Sequence, residues 1–264
     1  MSTDEVQKLI DTLFQFYSTV FPDAPQIPVI VSFTNDLNAT HAQLRPDHKE
    51  ELLRSPSGNE YNGRMVLPIS IDEPIHLLLN VQKAAEHEKA GMHTFYGTIA
   101  HEFTHAIDYY QMARLESLGT YTPLEITGKY TFFQLWSEYH ARKRGYYFLR
   151  KCFDLKGEMS DEEEQIEHII TKEAPYQARL FKDSFPKETP NQRLYNTMQN
   201  IGRYSVWMDL FPDVFGRSHF IKVYGNNWMW DILLFLRDHE TLESIYGHFD
   251  EFKEVLSENW TFDF

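Results

Sequence analysis

The spacing of hydrophobic positions divides the chain into a mixed N-terminal half and a helical C-terminal half. Residues 3–20 and 94–118 carry apolar side chains at steps of three and four, which is typical of amphipathic helices. Three short runs, 27–33, 64–71 and 75–81, are rich in β-branched residues and are predicted to be strands. Pro68 in the second run is best tolerated at a sheet edge. The pattern predicts an α+β fold that is mostly helical, with a small N-terminal sheet.

Further signals predict one long loop and several helix starts. The stretch 35–63 is rich in Asn, Asp, Pro, Ser and Gly and is predicted to be a loop. Thr131 followed by Gln134 has the pattern of a capping box and predicts a helix to about residue 153. Other helix starts are predicted at Thr122, Ser160 and Thr189.

No internal repeat or flexible linker marks a division of the chain. We expect residues 1–155 to form one core. Residues 156–264 are expected to form a helical region, either separate or part of the same domain.

The composition is that of a folded chain, and it excludes several classes of function. The 264 residues are 42% hydrophobic and 24% charged, which is enough apolar material to bury a core. A formal net charge of −14 disfavours nucleic acid as the main partner, because phosphate binding favours a basic surface. The sequence shows no signal peptide and no apolar stretch of the roughly 20 residues that span a bilayer. With Cys152 as the only cysteine, we expect a soluble cytoplasmic protein without a membrane partner.

The candidate chemistry lies in residues 101–105, which read His-Glu-Phe-Thr-His inside the predicted helix 94–118. Side chains four residues apart leave a helix about 40° from one another, so His101 and His105 share one face. This spacing lets both imidazoles reach one Zn²⁺ at about 2.0–2.1 Å, with Glu102 beside its water. The alternative is a solvent-exposed histidine pair with a neighbouring glutamate. At this composition the pattern arises by chance roughly 0.05 times per chain, so a metal site is favoured.

A catalytic zinc site usually takes three protein ligands, so another residue must complete the set. Glu138, in the second turn of the helix that starts near residue 131, is favoured because a separate element supplies a third direction. Asp108 lies about 20° around the first helix from His101. It is the alternative ligand, or else an acceptor that fixes the tautomer of a ligand imidazole. His140 and His168 are further alternatives.

With these residues in place, the sequence over roughly residues 60–150 resembles the zincin metallopeptidases. It resembles the gluzincin arrangement in particular, in which a glutamate on a downstream helix completes the HExxH site, and it is similar to the ImmA/IrrE-type metallopeptidases. The resemblance implies a zincin-like fold and a peptide or protein substrate. It also implies hydrolysis of peptide bonds by a zinc-activated water, with Glu102 as general base. Zincins typically hold the substrate as an added strand at a sheet edge.

A function of another class is compatible with the same residues. A zinc-binding protein on a zincin frame could bind or regulate a partner without catalysis. Glu102 speaks against this alternative, because a purely structural zinc site needs no general base.

Overall fold

The computed structural model describes residues 3–54, 61–89, 94–126, 128–155, 157, 161–184, 188–225 and 228–258. Within these ranges the chain is mostly helical with one three-stranded sheet, as predicted. Internal contacts group it into two compact units. Unit 1 is Met1–Glu125 with Tyr147–Cys152, and unit 2 is Ile126–Tyr146 with Phe153–Phe264. None of the helices in the described ranges combines the length and the apolar character needed to cross a membrane.

Unit 1 contains the sheet and the helix that carries the HExxH motif. Its helices are α1 (Thr3–Val20), α2 (Leu37–Leu44), α3 (Lys49–Arg54), α4 (Val81–Lys89), α5 (Thr94–Leu115) and α6 (Thr122–Glu125), and its strands are β1 (Val29–Thr34), β2 (Gly63–Val66) and β3 (Ile75–Asn80). The strand order is β1-β3-β2, with β1 parallel and β2 antiparallel to β3. Strand β2 is therefore an edge strand. It ends at Val66, short of Pro68, which has no N–H to donate to a ladder.

The prediction of a loop over residues 35–63 is wrong, because α2, a 3₁₀ turn at Pro46–His48 and α3 occupy much of this stretch. Asp36 caps α2 by accepting a hydrogen bond from the Ala39 N–H at 2.8 Å. Asn38, Pro46 and Asp47, which contributed to the loop prediction, lie at exposed or half-buried positions within these helices, while Leu37 is fully buried. Residues 55–60 lie outside the described residues. Helices of six to eight residues offer too few periodic positions for their pattern to be recognised.

Helix α5 packs closely against the sheet and against α1. A Cβ at Gly63 of β2 would lie only 3.1 Å from Cγ2 of Thr98, so the strand approaches the helix where no side chain intervenes. The buried Thr104 shares a hydrogen bond of 2.7 Å with the hydroxyl of Tyr17 in α1. The apolar side chains of α5 that become buried are Ile99, Ala100, Phe103, Ala106, Ile107, Met112 and Ala113. These contacts fix the rotation of α5 about its own axis.

Unit 2 is helical throughout the ranges that the structure describes. Its elements are most of α7 (Thr131–Leu155), α8 (Glu162–His168), a π-helical segment (Ile169–Glu173), α9 (Ala174–Ser184), α10 (Pro190–Leu210), α11 (Arg217–Tyr224), α12 (Trp228–Asp238), α13 (Leu242–Tyr246) and α14 (Phe249–Ser257). Thr189 and Gln192 form the capping box that begins α10, where a helix start was predicted. Helix α8 is capped by Asp161, which accepts from the Glu164 N–H, so the start predicted at Ser160 is one residue early. Ser160 itself lies outside the described residues.

Helix α7 starts where the sequence predicts it, but not through the predicted capping box. Thr131 is the first helical residue, and its hydroxyl accepts a hydrogen bond from the Gly128 N–H at 2.8 Å. The Gln134 N–H donates to the Tyr130 carbonyl at 2.9 Å, so Tyr130 begins the helical ladder. Gly128 has a φ of 140°, a conformation that residues with a Cβ rarely adopt. The local turn at Gly128 therefore replaces the expected cap.

The close approach of α10 to α7 at Gly202 generates a stability prediction. A Cβ at Gly202 would lie 2.7 Å from the Tyr139 carbonyl oxygen and 3.1 Å from the Arg142 Cβ. We expect Gly202→Ala to lower the free energy of unfolding by about 1–3 kcal/mol, because backbone must move to admit the methyl group. This loss exceeds the gain of roughly 1 kcal/mol that alanine brings to a helix interior.

Urea denaturation followed by circular dichroism measures the effect. Gly119→Ala is the matched control, since nothing lies within 4 Å of its Cβ position, and it should change the free energy by less than about 0.5 kcal/mol. A Gly202→Ala protein as stable as the wild type would contradict the close approach.

Candidate metal centre

His101 and His105 lie on one face of α5, as their spacing predicts. Their Nε2 atoms are 3.2 Å apart, and their rings meet edge to face with centroids 4.6 Å apart. Two nitrogens bound to one zinc ion at the tetrahedral angle are about 3.3–3.4 Å apart, given bond lengths of about 2.0–2.1 Å. The two imidazoles are therefore already spaced to share one ion.

Glu138 of α7 belongs to the same group of candidate ligands. Each of these residues offers one ligand atom, and the three atoms, from His101, His105 and Glu138, lie within 4.8 Å of one another. No other group of three or more His, Cys, Asp or Glu side chains in the described part of the chain meets this criterion. Glu138 and His101 are both 8% exposed, and a buried carboxylate is costly unless it meets a cation or hydrogen-bond donors. Two imidazoles and one carboxylate are a donor set that fits Zn²⁺.

The alternative third ligands are not part of this group. Asp108 is fully buried on α5 but contributes no atom to it. His140 stacks on Trp136, with ring centroids 4.8 Å apart and an angle of 22° between the planes. His168 is exposed and lies 3.6 Å from Glu173. Of the residues proposed from the sequence, Glu138 alone joins the two histidines.

Glu102, the acidic residue of the motif, is hydrogen-bonded to the edge of the sheet. Its Oε2 accepts a hydrogen bond from the Met65 N–H of β2 at 2.8 Å. Main-chain groups alternate in direction along a strand, and the Asn62 carbonyl faces β3, where it accepts from Asn80. The Met65 N–H therefore points away from β3, at the free edge. An outward-facing main-chain group thus holds the Glu102 carboxylate in one orientation.

Arg64 brings a positive charge close to Glu102, and the sequence analysis did not single it out. Its guanidinium donates to Asn38 Oδ1 at 3.0 Å and lies 3.3 Å from His41 Nδ1. Burial lowers the pKa of Arg64, and the negative charges of Glu102 and, to a smaller extent, Tyr61 oppose that shift. An arginine stays charged under these conditions, so Glu102 has an opposite charge in its surroundings. The only signal in the sequence is an arginine at the start of a hydrophobic strand.

Tyr195 of α10 lies within electrostatic reach of Glu138. Burial raises the pKa of Tyr195 to about 12, and the negative charge of Glu138 adds to this shift. The phenol therefore keeps its proton at neutral pH and remains a hydrogen-bond donor, at present toward Gln134 Oε1 at 3.4 Å. With 15 tyrosines in the chain, nothing in the sequence distinguishes this one.

Comparison of the chain with protein-family models, with curated proteins and with solved structures finds no match.

The triad generates a prediction about metal content. Protein purified without added metal should retain about one tightly bound zinc per chain after dialysis. His101→Ala should abolish this zinc. Loss of a residue that is hydrogen-bonded to a ligand lowers metal affinity roughly 10–100-fold. Glu138→Ala should lower the zinc affinity by more than this. Elemental analysis gives the stoichiometry, and competition with a chromophoric chelator gives the affinity.

Asp108→Ala is the matched control, because Asp108 is a buried carboxylate on the same helix as the histidines but outside the triad. The zinc affinity of the Asp108→Ala protein should fall by no more than about 10–100-fold. If Asp108→Ala strips the metal and Glu138→Ala does not, Asp108 is the third ligand. Full zinc content in a His101→Ala, His105→Ala double variant would rule out the site.

Proposed function

We propose that this protein is a zinc-dependent metallopeptidase. The observation that carries the proposal is the group of His101, His105 and Glu138, with Glu102 from the same motif held next to the histidines by the Met65 N–H. Structural zinc sites are normally closed by four protein ligands, whereas catalytic sites use three and keep one position open. Three ligands with an adjacent carboxylate outside the ligand group favour the catalytic type.

The residues of the chain divide the work of hydrolysis between them. A zinc ion bound by the triad supplies Lewis-acid polarisation of the scissile carbonyl and acidifies water. Glu102 accepts the proton of the attacking water and delivers it to the leaving amine. The hydrogen bond from Met65 keeps the carboxylate in one orientation during both transfers, and the charge of Arg64 lies close by.

Negative charge that develops on the carbonyl oxygen requires a hydrogen-bond donor. Tyr195 is our candidate, because its phenol stays protonated at neutral pH and lies within reach of the charge on Glu138. Its hydroxyl donates a long hydrogen bond to Gln134 at 3.4 Å, which a reacting carbonyl could replace.

A peptide substrate could pair with the edge of β2, but two of its outward-facing groups are already used. The Met65 N–H donates to Glu102 at 2.8 Å, and the Leu67 carbonyl just beyond the strand accepts from Arg45 at 2.7 Å. A substrate strand therefore either replaces these bonds or pairs with the remaining outward groups of Gly63 and Met65.

The role of Glu102 as general base is tested by Glu102→Gln. Glutamine keeps the size of the side chain and an oxygen that can accept the Met65 hydrogen bond, but it cannot take up a proton. Peptide cleavage should fall about 10²–10⁴-fold while the zinc content stays at the wild-type level. Both quantities are measured on one preparation, with a broad peptide library as substrate.

Glu86→Gln, which changes an exposed glutamate on α4, is the control and should leave cleavage unchanged. A Glu102→Gln protein that keeps its zinc and cleaves at the wild-type rate removes Glu102 from the mechanism. A wild-type protein that holds zinc and cleaves no peptide in the library supports the non-catalytic zinc-binding protein instead.

The role of Tyr195 is tested by Tyr195→Phe, which removes only the hydroxyl. Loss of one donor to the developing charge should lower kcat by about 10²–10³-fold and change KM little. Tyr176→Phe, which removes an exposed hydroxyl on α9, should leave both constants unchanged. Steady-state kinetics on zinc-loaded protein decide the question, and an unchanged kcat in Tyr195→Phe excludes this residue as the donor.

A further inference from the structure

We infer a second metal site, for a divalent transition-metal ion, formed by His239 and His248 in unit 2. His239 follows α12 directly, and His248 directly precedes α14. The short helix α13 reverses the chain between them, so the two imidazoles lie against each other with ring centroids 4.5 Å apart. Neither residue belongs to the triad at α5 and α7.

Hydrogen bonds to the main chain fix the tautomer of both rings. His239 Nδ1 is 2.8 Å from the Phe235 carbonyl oxygen, and His248 Nδ1 is 2.8 Å from the Ser244 carbonyl oxygen. A carbonyl oxygen can only accept, so each Nδ1 carries a hydrogen and each Nε2 of the neutral ring carries a lone pair. Many histidines that bind a metal through Nε2 are oriented in this way. Their Nδ1–H donates a hydrogen bond to a main-chain carbonyl oxygen.

The histidine pair can be reached from solvent. Among the described residues, the side-chain hydrogen bonds of His239 and His248 are the two at Nδ1. His248 is exposed and His239 is half-buried, so an ion can reach the pair from solvent. Imidazole nitrogens suit Cu²⁺, Ni²⁺ and Zn²⁺, and water can occupy the remaining coordination positions.

The local charge favours a cation. Residues 238–251 contain no lysine or arginine and have five carboxylates, which are Asp238, Glu240, Glu243, Asp250 and Glu251. Glu240 forms an ion pair with Lys143 of α7, and two of the others lie in the first turn of α14, next to His248. The negative charges of Asp250 and Glu251 lower the energy of a positive ion beside His248, whereas Lys143 balances the charge of Glu240.

Another close histidine pair, His41 with His48, shows which features matter. His41 Nε2 and His48 Nδ1 hydrogen-bond to each other at 3.1 Å. Arg64 lies 3.3 Å from the outer nitrogen of His41, and Arg45 lies 2.8 Å from that of His48. Burial and the nearby positive charges lower the pKa of His41 to about 4. That pair has its nitrogens engaged and guanidinium groups beside it, so it is unsuited to a cation, although its rings are nearly as close.

An ion at His239 and His248 joins the end of α12 to the start of α14. Because the pairing exists only in the folded chain, the ion stabilises the folded state in proportion to its concentration and affinity. Its role in this place is structural.

The test uses Cu²⁺ as probe, because Cu²⁺ binds nitrogen sites more strongly than the other divalent first-row ions. Zinc-loaded full-length protein is titrated with Cu²⁺ and followed by electron paramagnetic resonance. The wild type should bind one equivalent of Cu²⁺ with two imidazole nitrogens at unchanged zinc content. Elemental analysis of the same sample checks the zinc, since Cu²⁺ that displaced it from His101 and His105 would also show two imidazole nitrogens. His248→Ala should weaken this binding by more than about 10–100-fold, since a ligand itself is lost. His239→Gln should do the same, with an unchanged far-UV circular dichroism spectrum in both variants.

His48→Gln is the matched control, and its Cu²⁺ titration should equal that of the wild type. His101→Ala should also keep the Cu²⁺ equivalent, which separates this site from the proposed zinc centre. Wild-type protein that shows no Cu²⁺ with two imidazole ligands overturns the inference. So does a His248→Ala protein that binds Cu²⁺ as tightly as the wild type.

Discussion

The packing of α5 against β2 is the contact on which the candidate site depends. Gly63 lets the strand approach the helix to within contact of Thr98, and this closeness allows the Met65 N–H to reach Glu102. The hydrogen bond between Thr104 and Tyr17 holds the helix from the side of α1. A shift of one residue along α5 would rotate every side chain by about 100° and separate Glu102 from the strand. The geometry of the motif is therefore maintained by contacts of its neighbours in unit 1.

The same helix carries a row of buried polar groups, which a purely structural helix would avoid. Thr104 and Asp108 are fully buried and His101 is 8% exposed, while Glu138 on α7 is 8% exposed. Each of these groups has to recover its hydration energy through a partner, since an unpaired buried polar atom costs about 1–3 kcal/mol. Proteins tolerate such concentrations mainly where function requires them. The distribution of burial thus agrees with the argument from the motif.

Three close histidine pairs among the described residues show how surroundings decide what an imidazole can do. The pairs are His101 with His105, His41 with His48, and His239 with His248. In the first pair the two Nε2 atoms face each other beside a carboxylate, and in the second the outer nitrogens meet guanidinium groups. In the third pair, carbonyl oxygens hold both Nδ1 atoms, so each Nε2 of the neutral ring carries a lone pair. The separation of the two rings is similar in all three pairs. The groups around each pair therefore decide whether it can bind a cation.

The sequence by itself determined the features that depend on residues close together in the chain. The shared face of His101 and His105, the start of α10 at Thr189 and the positions of the three strands follow from helical rotation, capping chemistry and β-branched runs. Short-range periodicity was too weak to reveal α2 and α3, and the apparent capping box at Thr131 gave way to a turn at Gly128.

Tertiary structure alone decided the bond between Met65 and Glu102, the charge of Arg64 nearby and the close approach at Gly202. Each of these joins residues more than 30 positions apart. The Met65 bond is made by a main-chain group that has the same chemistry in every residue except proline. No local pattern can specify such a contact, because it exists only once the chain has folded.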